Sequence, residues 1–457
     1  MLAIFMKKYF LFLLFFTLTC FVSFGQSVLQ EYIKTGLENN QQFLKARLAT
    51  QIAYQENNVA KSYFLPDVAF QASYLLAEGG RTIDFPIGDL FNPAYAALNQ
   101  LTGTEQFPTD ISNVNEQFLP NDFHETKIRI AQPIFNTDIY FGYKASQANI
   151  SVNQAKENSY RNQLIFEITK AYYNHLQVLA QQQILDSTKF VLKQLVQVNE
   201  KLIKNDVATK DVLYNAHAQL DNLDAQIATV QKNVNTSRIF FNYLLNRDLT
   251  ESILVNDPTD EEISINELSL DLAQNEAISN RSDLLVVKGG IEAQQFLIRK
   301  EKAYLLPDVS VGAEFGYQGF GYTFDENQDF YLLSFNLNWS IFQGGRNKSQ
   351  VQRANLQKEQ LEADYQNLKQ QIQLEVANAF YEWEETLKIY KARLSELKNA
   401  KENFNIVKGQ YETNQALLVQ FNQARNDLTT AQLATAIAKY NIAISKANLQ
   451  RTTQTNF

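Results

Sequence analysis

The sequence predicts a mainly α chain: long coiled-coil α-barrel helices plus two β-hairpins. Its four-stranded β contribution is completed by trimerisation into a twelve-stranded transmembrane barrel. Three observations predict this. Long stretches lack Pro and Gly and carry heptad patterning, the chain is written twice, and four segments alternate with period two.

The N-terminus is the first element. Lys7 and Lys8 precede an apolar run from Tyr9 to Phe24, and Ser23 and Gly25 sit at −3 and −1 of a cleavage site. This predicts a signal peptide over 1–25. As a membrane anchor the run is short, since a spanning helix needs about 20 apolar residues. Cys20, the only cysteine, lies inside it. A lipoprotein start there is the alternative, though Thr17-Leu18-Thr19 is a poor lipidation motif. Without the signal, 39 basic residues face 49 acidic ones, a net charge of −10. Such a balance argues against nucleic acid as a partner, because phosphate binding needs clustered Lys and Arg.

The tandem repeat organises the rest. Ser62-Tyr-Phe-Leu-Pro-Asp-Val68 returns as Ala303-Tyr-Leu-Leu-Pro-Asp-Val309, an offset of 241. Gln132-Pro-Ile-Phe135 returns as Trp339-Ser-Ile-Phe342 at offset 207. The drop of 34 places an insertion in the first copy, expected as a loop over 77–123 because that stretch holds Gly79, Gly80, Pro86, Pro93, Pro108 and Pro120. The expected organisation is a first repeat over 26–247, an acidic linker over 248–270 and a second repeat over 271–457. Each repeat reads helix, strand, loop, strand, long helix, tight turn, long helix.

Each copy opens with a helical stretch, Gln30 to Lys61 and Asp271 to Lys302. The long helices are expected from Ile139 to about Asn205, Val207 to Asn246, Asn347 to about Tyr411, and Gln415 to Arg451. In the last helix of copy one, Leu213, Ala216, Leu220, Leu223, Ile227, Val230, Val234, Ser237, Phe241 and Leu244 follow steps of three and four. Phe421, Ala424, Leu428, Ala431, Thr435, Ala438, Ile442, Ser445 and Leu449 repeat those steps at offset 208. Heptads of this kind call for helices packed side by side.

The strands come between. Val68, Phe70, Ala72 and Tyr74 alternate with Asp67, Gln71 and Ser73; Val309, Val311 and Phe315 alternate with Ser310 and Glu314; Phe335, Leu337 and Trp339 alternate with Asn336. Thr126, Ile128 and Ile130 oppose Lys127, Arg129 and Ala131. About ten residues of period two match a tilted membrane strand. For any one strand alone, a soluble sheet with one wet face is the alternative. Four strands cannot close a barrel, and lipid tolerates no open edge. Two chains would give eight strands and a filled interior; three give twelve and a water-filled lumen. The expected lumen face holds Asp67, Gln71, Ser73, Ser310, Glu314 and Asn336. The expected lipid face holds Val68, Phe70, Tyr74, Val309, Val311, Phe315, Phe335, Leu337 and Trp339.

Leu-Pro-Asp leading into the strands, Ile341 to Arg346 (Ile-Phe-x-Gly-Gly-Arg) leaving them, and Gln420 to Gln432 after a turn together resemble the TolC-like outer-membrane efflux proteins. The resemblance covers nearly all of the chain beyond the signal. It implies a homotrimer in the outer membrane of a Gram-negative bacterium, in contact with outer-membrane lipid, with a helical tunnel through the periplasm. It also implies a periplasmic adaptor (membrane fusion) protein and an inner-membrane transporter as partners. The family's adaptor-contacting tip turns fall on Asn205, Asp206, Val207, Ala208 and Thr209, and on Thr413, Asn414, Gln415, Ala416 and Leu417. Its aspartate constriction falls on Gln420 and Gln423, which cannot ionise; Asp211 is the remaining acidic candidate.

Enzymatic chemistry finds no support. His124, His175 and His217 lack metal-ligand spacing, and no Walker or dinucleotide fingerprint occurs. No catalytic residue, metal or cofactor is expected. A passive conduit is the favoured function; a periplasmic coiled-coil adaptor or a structural protein of the cell envelope is the alternative.

Overall fold

The computed structural model describes residues 28–258 and 268–455. The expected signal peptide with Cys20, and part of the acidic linker, lie outside the described residues. Copy one begins with α1 (Val28–Asn39) and α2 (Gln41–Ser62), followed by β1 (Asp67–Leu75). After the insertion come β4 (Phe123–Phe135), α4 (Thr137–Lys204) and α5 (Asp211–Leu244). Copy two repeats the order: α6 (Leu270–Asn280), α7 (Ser282–Lys302), β5 (Asp308–Phe320), β6 (Asp329–Asn338), α8 (Arg346–Glu412) and α9 (Leu418–Thr453).

Two expectations need correcting. The insertion is not bare loop: it carries β2 (Thr82–Phe85), α3 (Ile87–Thr102) and β3 (Val114–Gln117), with β2 and β3 paired antiparallel. Asn92 and Asn99 hold it together through bonds to the backbone of Ile111 and Phe107. The opening helix of each copy is broken in two, at Asn40 and at Arg281, positions 241 apart. Asn40 Oδ1 accepts from the backbone N–H of Gln42 and Phe43, both at 3.0 Å, so a side chain that starts a new helix interrupts the old one. Arg281 leaves helical geometry outright, with φ −63° and ψ 118°.

The chain divides into two compact units. One comprises Gln55–Gln147 and Glu292–Lys358 and contains the sheet, of strand order β1-β4-β5-β6, antiparallel throughout. Copy one's β4 thus pairs with copy two's β5, leaving β1 and β6 as open edges.

The other unit comprises Met1–Tyr54, Ala148–Ile291 and Glu359–Phe457. Its described core is helical. Tyr32, Tyr172 and Phe241 meet ring to ring, with Tyr32 edge-on to Phe241 at 5.0 Å. A second cluster joins Leu192, Leu195, Ala216, Leu223, Phe404 and Phe421. The heptad positions supply these clusters: Ala216, Leu223, Val234, Phe241 and Leu244 of α5 are buried, as are Phe421, Ala424, Ala431, Thr435, Ala438, Ile442, Ser445 and Leu449 of α9. At 68 and 67 residues, α4 and α8 each run about 100 Å at ~1.5 Å per residue.

The described part of the acidic linker is a docked strap. Backbone N–H groups of Leu254 and Asn256 donate to the hydroxyls of Tyr32 and Tyr172. Tyr440 donates its hydroxyl to Asp257 at 2.8 Å, and Lys439 lies 3.0 Å from the same carboxylate. The tyrosine bond, with the lysine behind it, holds the Asp257 carboxyl below its ordinary value; burial and Asp257 push the Tyr440 hydroxyl up.

Candidate functional site

The sheet sorts its residues by register. Asp67 stands opposite Ala131, which stands opposite Gly312, then Ser334. Counting two residues at a time from that line places Asp67, Gln71, Ser73, Ser310, Glu314 and Asn336 on one face. Val68, Phe70, Tyr74, Val309, Val311, Phe315, Phe335 and Leu337 fall on the other; Trp339 lies one residue past the end of β6. The first face is the charged one. Lys127 Nζ lies 2.9 Å from both Glu125 Oε1 and Glu314 Oε2, and Arg129 Nε lies 3.6 Å from Glu314 Oε1. Glu125, Lys127 and Arg129 were absent from the expected lumen set, although the period of β4 places them there. Phe330 and Leu332 also share this face and break its polar pattern.

Most of the second face has no cover. Val68 is 62% exposed and Phe70 70%, with Phe335, Leu337 and Trp339 also open. In an antiparallel sheet one face normally packs on a core. Here, among the described residues, Tyr322 and Phe324 lie against the apolar face at Tyr74, His124 and Tyr317, while Val68, Phe70, Phe335 and Leu337 stay open.

The two helix-to-helix turns are built alike. After α4, Asp206 takes a left-handed conformation (φ 56°) and the Val207 N–H bonds back to Leu202 O at 2.9 Å. After α8, Asn414 does the same (φ 61°), with Gln415 N–H on Gln410 O at 2.7 Å. This is the six-to-one closure of a Schellman cap, and Asp and Asn tolerate the left-handed conformation better than most residues. Asn205, Asp206, Val207 and Thr209 are exposed with Ala208 half-buried; Thr413, Asn414, Gln415 and Leu417 are exposed with Ala416 half-buried. Thr209 donates its hydroxyl to Asp211, which begins α5.

Beneath these turns, Asn199 and Tyr411 are buried against each other. Tyr411 donates its hydroxyl to Asn199 Oδ1 at 2.7 Å, while Asn199 Nδ2 donates to Val212 O at 3.1 Å. Burial raises the Tyr411 hydroxyl's pKa. Gln420 closes the start of α9 by accepting the Leu417 N–H at 2.8 Å. Gln420 and Gln423 line one cavity of about 420 Å³. Gln423 donates to Asp427 at 2.8 Å, and Gln420, Gln423 and Asp427 form an exposed stripe at helical spacing. Asp427 was not among the sequence candidates; the three-then-four spacing from Gln420 and Gln423 was the signal that it shares their stripe.

Among the described residues no group of His, Cys, Asp and Glu could hold a metal ion, and no helix is long and apolar enough to cross a membrane. The latter says nothing of the sheet.

An open-edged sheet with a largely uncovered apolar face, and two long helical hairpins, make up a fold that this chain shares with outer-membrane channels. The sequence model of the outer membrane efflux protein family matches residues 273–453, essentially the second copy. No curated protein matches the sequence. Among solved structures, a membrane protein from Pseudomonas aeruginosa superposes with TM-score 0.76 at 15% identity, covering 94% of this chain and 93% of that one. The Campylobacter jejuni outer membrane channel CmeC gives 0.74 at 17% identity, covering 93% and 85%. The Vibrio cholerae outer membrane protein VceC gives 0.73 at 16% identity, covering 93% and 95%. At these identities the superpositions establish the fold, and they extend over both copies.

Proposed function

We propose that three copies of this chain form the outer-membrane conduit of a tripartite efflux or secretion system. A periplasmic adaptor and an inner-membrane transporter supply the drive, and no catalysis occurs in this chain. Residues 1–25 act as the signal, 26–247 and 271–457 as the two structural repeats, and 248–270 as an equatorial segment between them. One observation carries the reading: Val68, Phe70 and their neighbours form an apolar face that the chain's own helices leave open, on a sheet whose two edges are unpaired. Hydrocarbon satisfies such a face, and only further copies satisfy such edges.

Three copies pool twelve strands, enough for a wet lumen bordered by Asp67, Gln71, Ser73, Ser310, Glu314 and Asn336 together with Glu125, Lys127 and Arg129. The paired helical turns, with Val207 and Leu417 exposed beside polar neighbours, serve as the surface that meets the adaptor. The stripe Gln420, Gln423 and Asp427 borders the narrow end of the tunnel. Its one carboxylate per copy makes a weaker cation site than stacked aspartate rings, with Asp211 as the other candidate.

Membrane fractionation followed by amine-directed cross-linking and planar-bilayer recording tests the whole reading. A detergent-dependent trimer that conducts is expected, with Asp427→Asn lowering cation preference. A soluble monomer would leave the periplasmic adaptor or structural reading in its place.

A further inference from the structure

We propose that the seam between neighbouring copies reuses the register found inside the chain between β4 and β5, so that Asn336 stands opposite Ser73 of the partner subunit. The inference rests on the pooled-barrel reading above and adds to it a residue-by-residue interface.

The duplication supplies the template. β1 and β5 are equivalent at offset 241, β4 and β6 at offset 207. Inside the chain, the return strand of one copy (β4) pairs antiparallel with the leading strand of the next (β5). The same relation, moved one copy onward, pairs β6 with β1. These two strands lie at opposite edges of the sheet, so the β1 that meets β6 belongs to another molecule.

The observed pairs translate directly. Arg129 opposite Glu314 becomes Asn336 opposite Ser73 of the partner subunit; Ala131 opposite Gly312 becomes Asn338 opposite Gln71 of the partner subunit. Ile128 opposite Phe315 becomes Phe335 opposite Tyr74 of the partner subunit, and Gln132 opposite Val311 becomes Trp339 opposite Phe70 of the partner subunit. In these four pairs polar residues meet polar ones on one face and apolar residues meet apolar ones on the other, whereas further along Ser334 falls opposite Leu75 of the partner subunit. A slip of one residue would set the polar members of these four pairs against apolar ones. The irregularity at Pro133 and Phe135 translates to Phe342 opposite Val68 of the partner subunit. A further two-residue slip toward the N-terminus of β1 would set Phe342 against Pro66 of the partner subunit, which has no N–H to donate.

Exposure shows independently that both edges await a partner strand. Equivalent residues differ in the sense expected if one member of each pair has lost its neighbour. Phe342 is 86% exposed and its equivalent Phe135 45%; Val68 and Phe70 are open where Val309 and Val311 are half-buried. Within the chain, Ile134, Phe135 and Leu306 help to line an apolar cavity of about 430 Å³. Their seam equivalents are Ile341, Phe342 and Leu65 of the partner subunit, all strongly exposed in the single chain.

Paired cysteines test the register. Cys20 is the only thiol in the sequence, so Cys20→Ala gives a silent background. Asn336→Cys is combined in turn with Ser73→Cys, Gln71→Cys and Leu75→Cys, and mild oxidation is followed by denaturing electrophoresis. Directly opposed residues lie about 4.5–5.5 Å apart at Cα, inside the disulfide range, while residues two positions away lie beyond it. The Ser73 pair is expected to give about tenfold more covalent oligomer than either neighbour, rising to a closed trimer. Strongest bonding with Gln71 or Leu75, or equal bonding in all three, overturns the register. If amine cross-linking of the unmodified protein still yields a trimer, that failure leaves the channel reading intact. Absence of any oligomer would end both. Should a cysteine variant fail to reach the membrane, Asn338→Cys with Gln71→Cys reads the same register.

Discussion

Asn40 and Arg281 hold the same place in the two copies, 241 residues apart, and each binds a carbonyl at the end of its own copy's last helix. Asn40 Nδ2 donates to Leu244 O at 3.0 Å, and Arg281 Nη1 donates to Thr452 O at 3.1 Å. Those two carbonyls are themselves 208 apart, the offset of the heptads. Chemically different side chains thus play the same structural role, breaking the opening helix and tying the break to the closing helix of the repeat. Helix C-termini leave carbonyls unpaired, so each bond satisfies an acceptor that would otherwise depend on water.

Removing these ties should cost unequal amounts. Asn40→Ala loses a helix cap and one carbonyl bond, about 1–2 kcal/mol. Arg281 is buried and also pairs with Asp283 at 2.6 Å and Glu375 at 2.9 Å, so Arg281→Met strands two carboxylates. Ser159 still binds Asp283, Arg451 still binds Glu375, and both acids are partly wet, which brings the loss to about 2–4 kcal/mol. Thermal unfolding in detergent should therefore rank Arg281→Met below Asn40→Ala. The reverse order would refute the shared role.

Acid should destabilise the helical unit through His175. Burial, with Arg238 as the lesser cause, lowers its pKa from 6.5 to about 4. Its Nδ1 lies 2.8 Å from Ser237 Oγ, whose own proton goes to Val234 O, so Nδ1–H is the donor. The unfolded chain binds the proton first, hence stability is full above about pH 6.5 and falls as pH drops toward 4, by about 2 kcal/mol at pH 5. His175→Gln should flatten that window. Unfolding curves at pH 5 and pH 7.5 decide it, and an unchanged slope in the variant would assign the acid sensitivity elsewhere.

Much of this architecture was legible because its signals are periodic. The heptads of α5 and α9 survive as a stripe turned to the helical core, and the alternation of β1 and β5 survives as two chemically distinct faces, with Phe330 and Leu332 breaking it in β6. The breaks at Asn40 and Arg281 were not legible. Asn inside a helical run does not announce a cap. Besides its neighbour Asp283, Arg281 acts through Glu375 and Thr452, partners nearly a hundred or more residues away. The insertion was misread because Gly and Pro mark turns without excluding the short helix between them. Lys127 and Arg129 lie on the lumen side by the period of β4 but escaped the lumen set; their pairing with Glu314 across β4 and β5 shows why charge is tolerated there.

The Asn199–Tyr411 bond should stiffen the region beneath the turns. Tyr411→Phe keeps the ring, which packs 5.2 Å from Phe421, and leaves a fully buried amide oxygen unpaired. Such an orphan costs about 1–3 kcal/mol. Hydrogen exchange around Asn199 and Val212 should accelerate, because Asn199 also holds Val212 O. Unchanged exchange there would mean that water replaces the tyrosine hydroxyl at no cost.

Gly316 offers the sharpest test of the sheet. A Cβ at this position would lie 2.1 Å from Thr126 O and 2.6 Å from Lys127 Cα, both backbone atoms of β4. Rotamer changes cannot relieve that contact, so Gly316→Ala must push β4 and β5 apart next to the Lys127–Glu314 ion pair. Gly290 is the control, since its Cβ would meet nothing within 4 Å and Ala is the better helix former. Gly316→Ala should sharply reduce folded oligomer in the outer membrane while leaving the isolated chain's helix content near normal. Gly290→Ala should assemble at least as well as the unaltered chain. Outer-membrane fractionation and circular dichroism read the two effects separately. Normal assembly of Gly316→Ala would mean that β4 and β5 do not lie in the register observed.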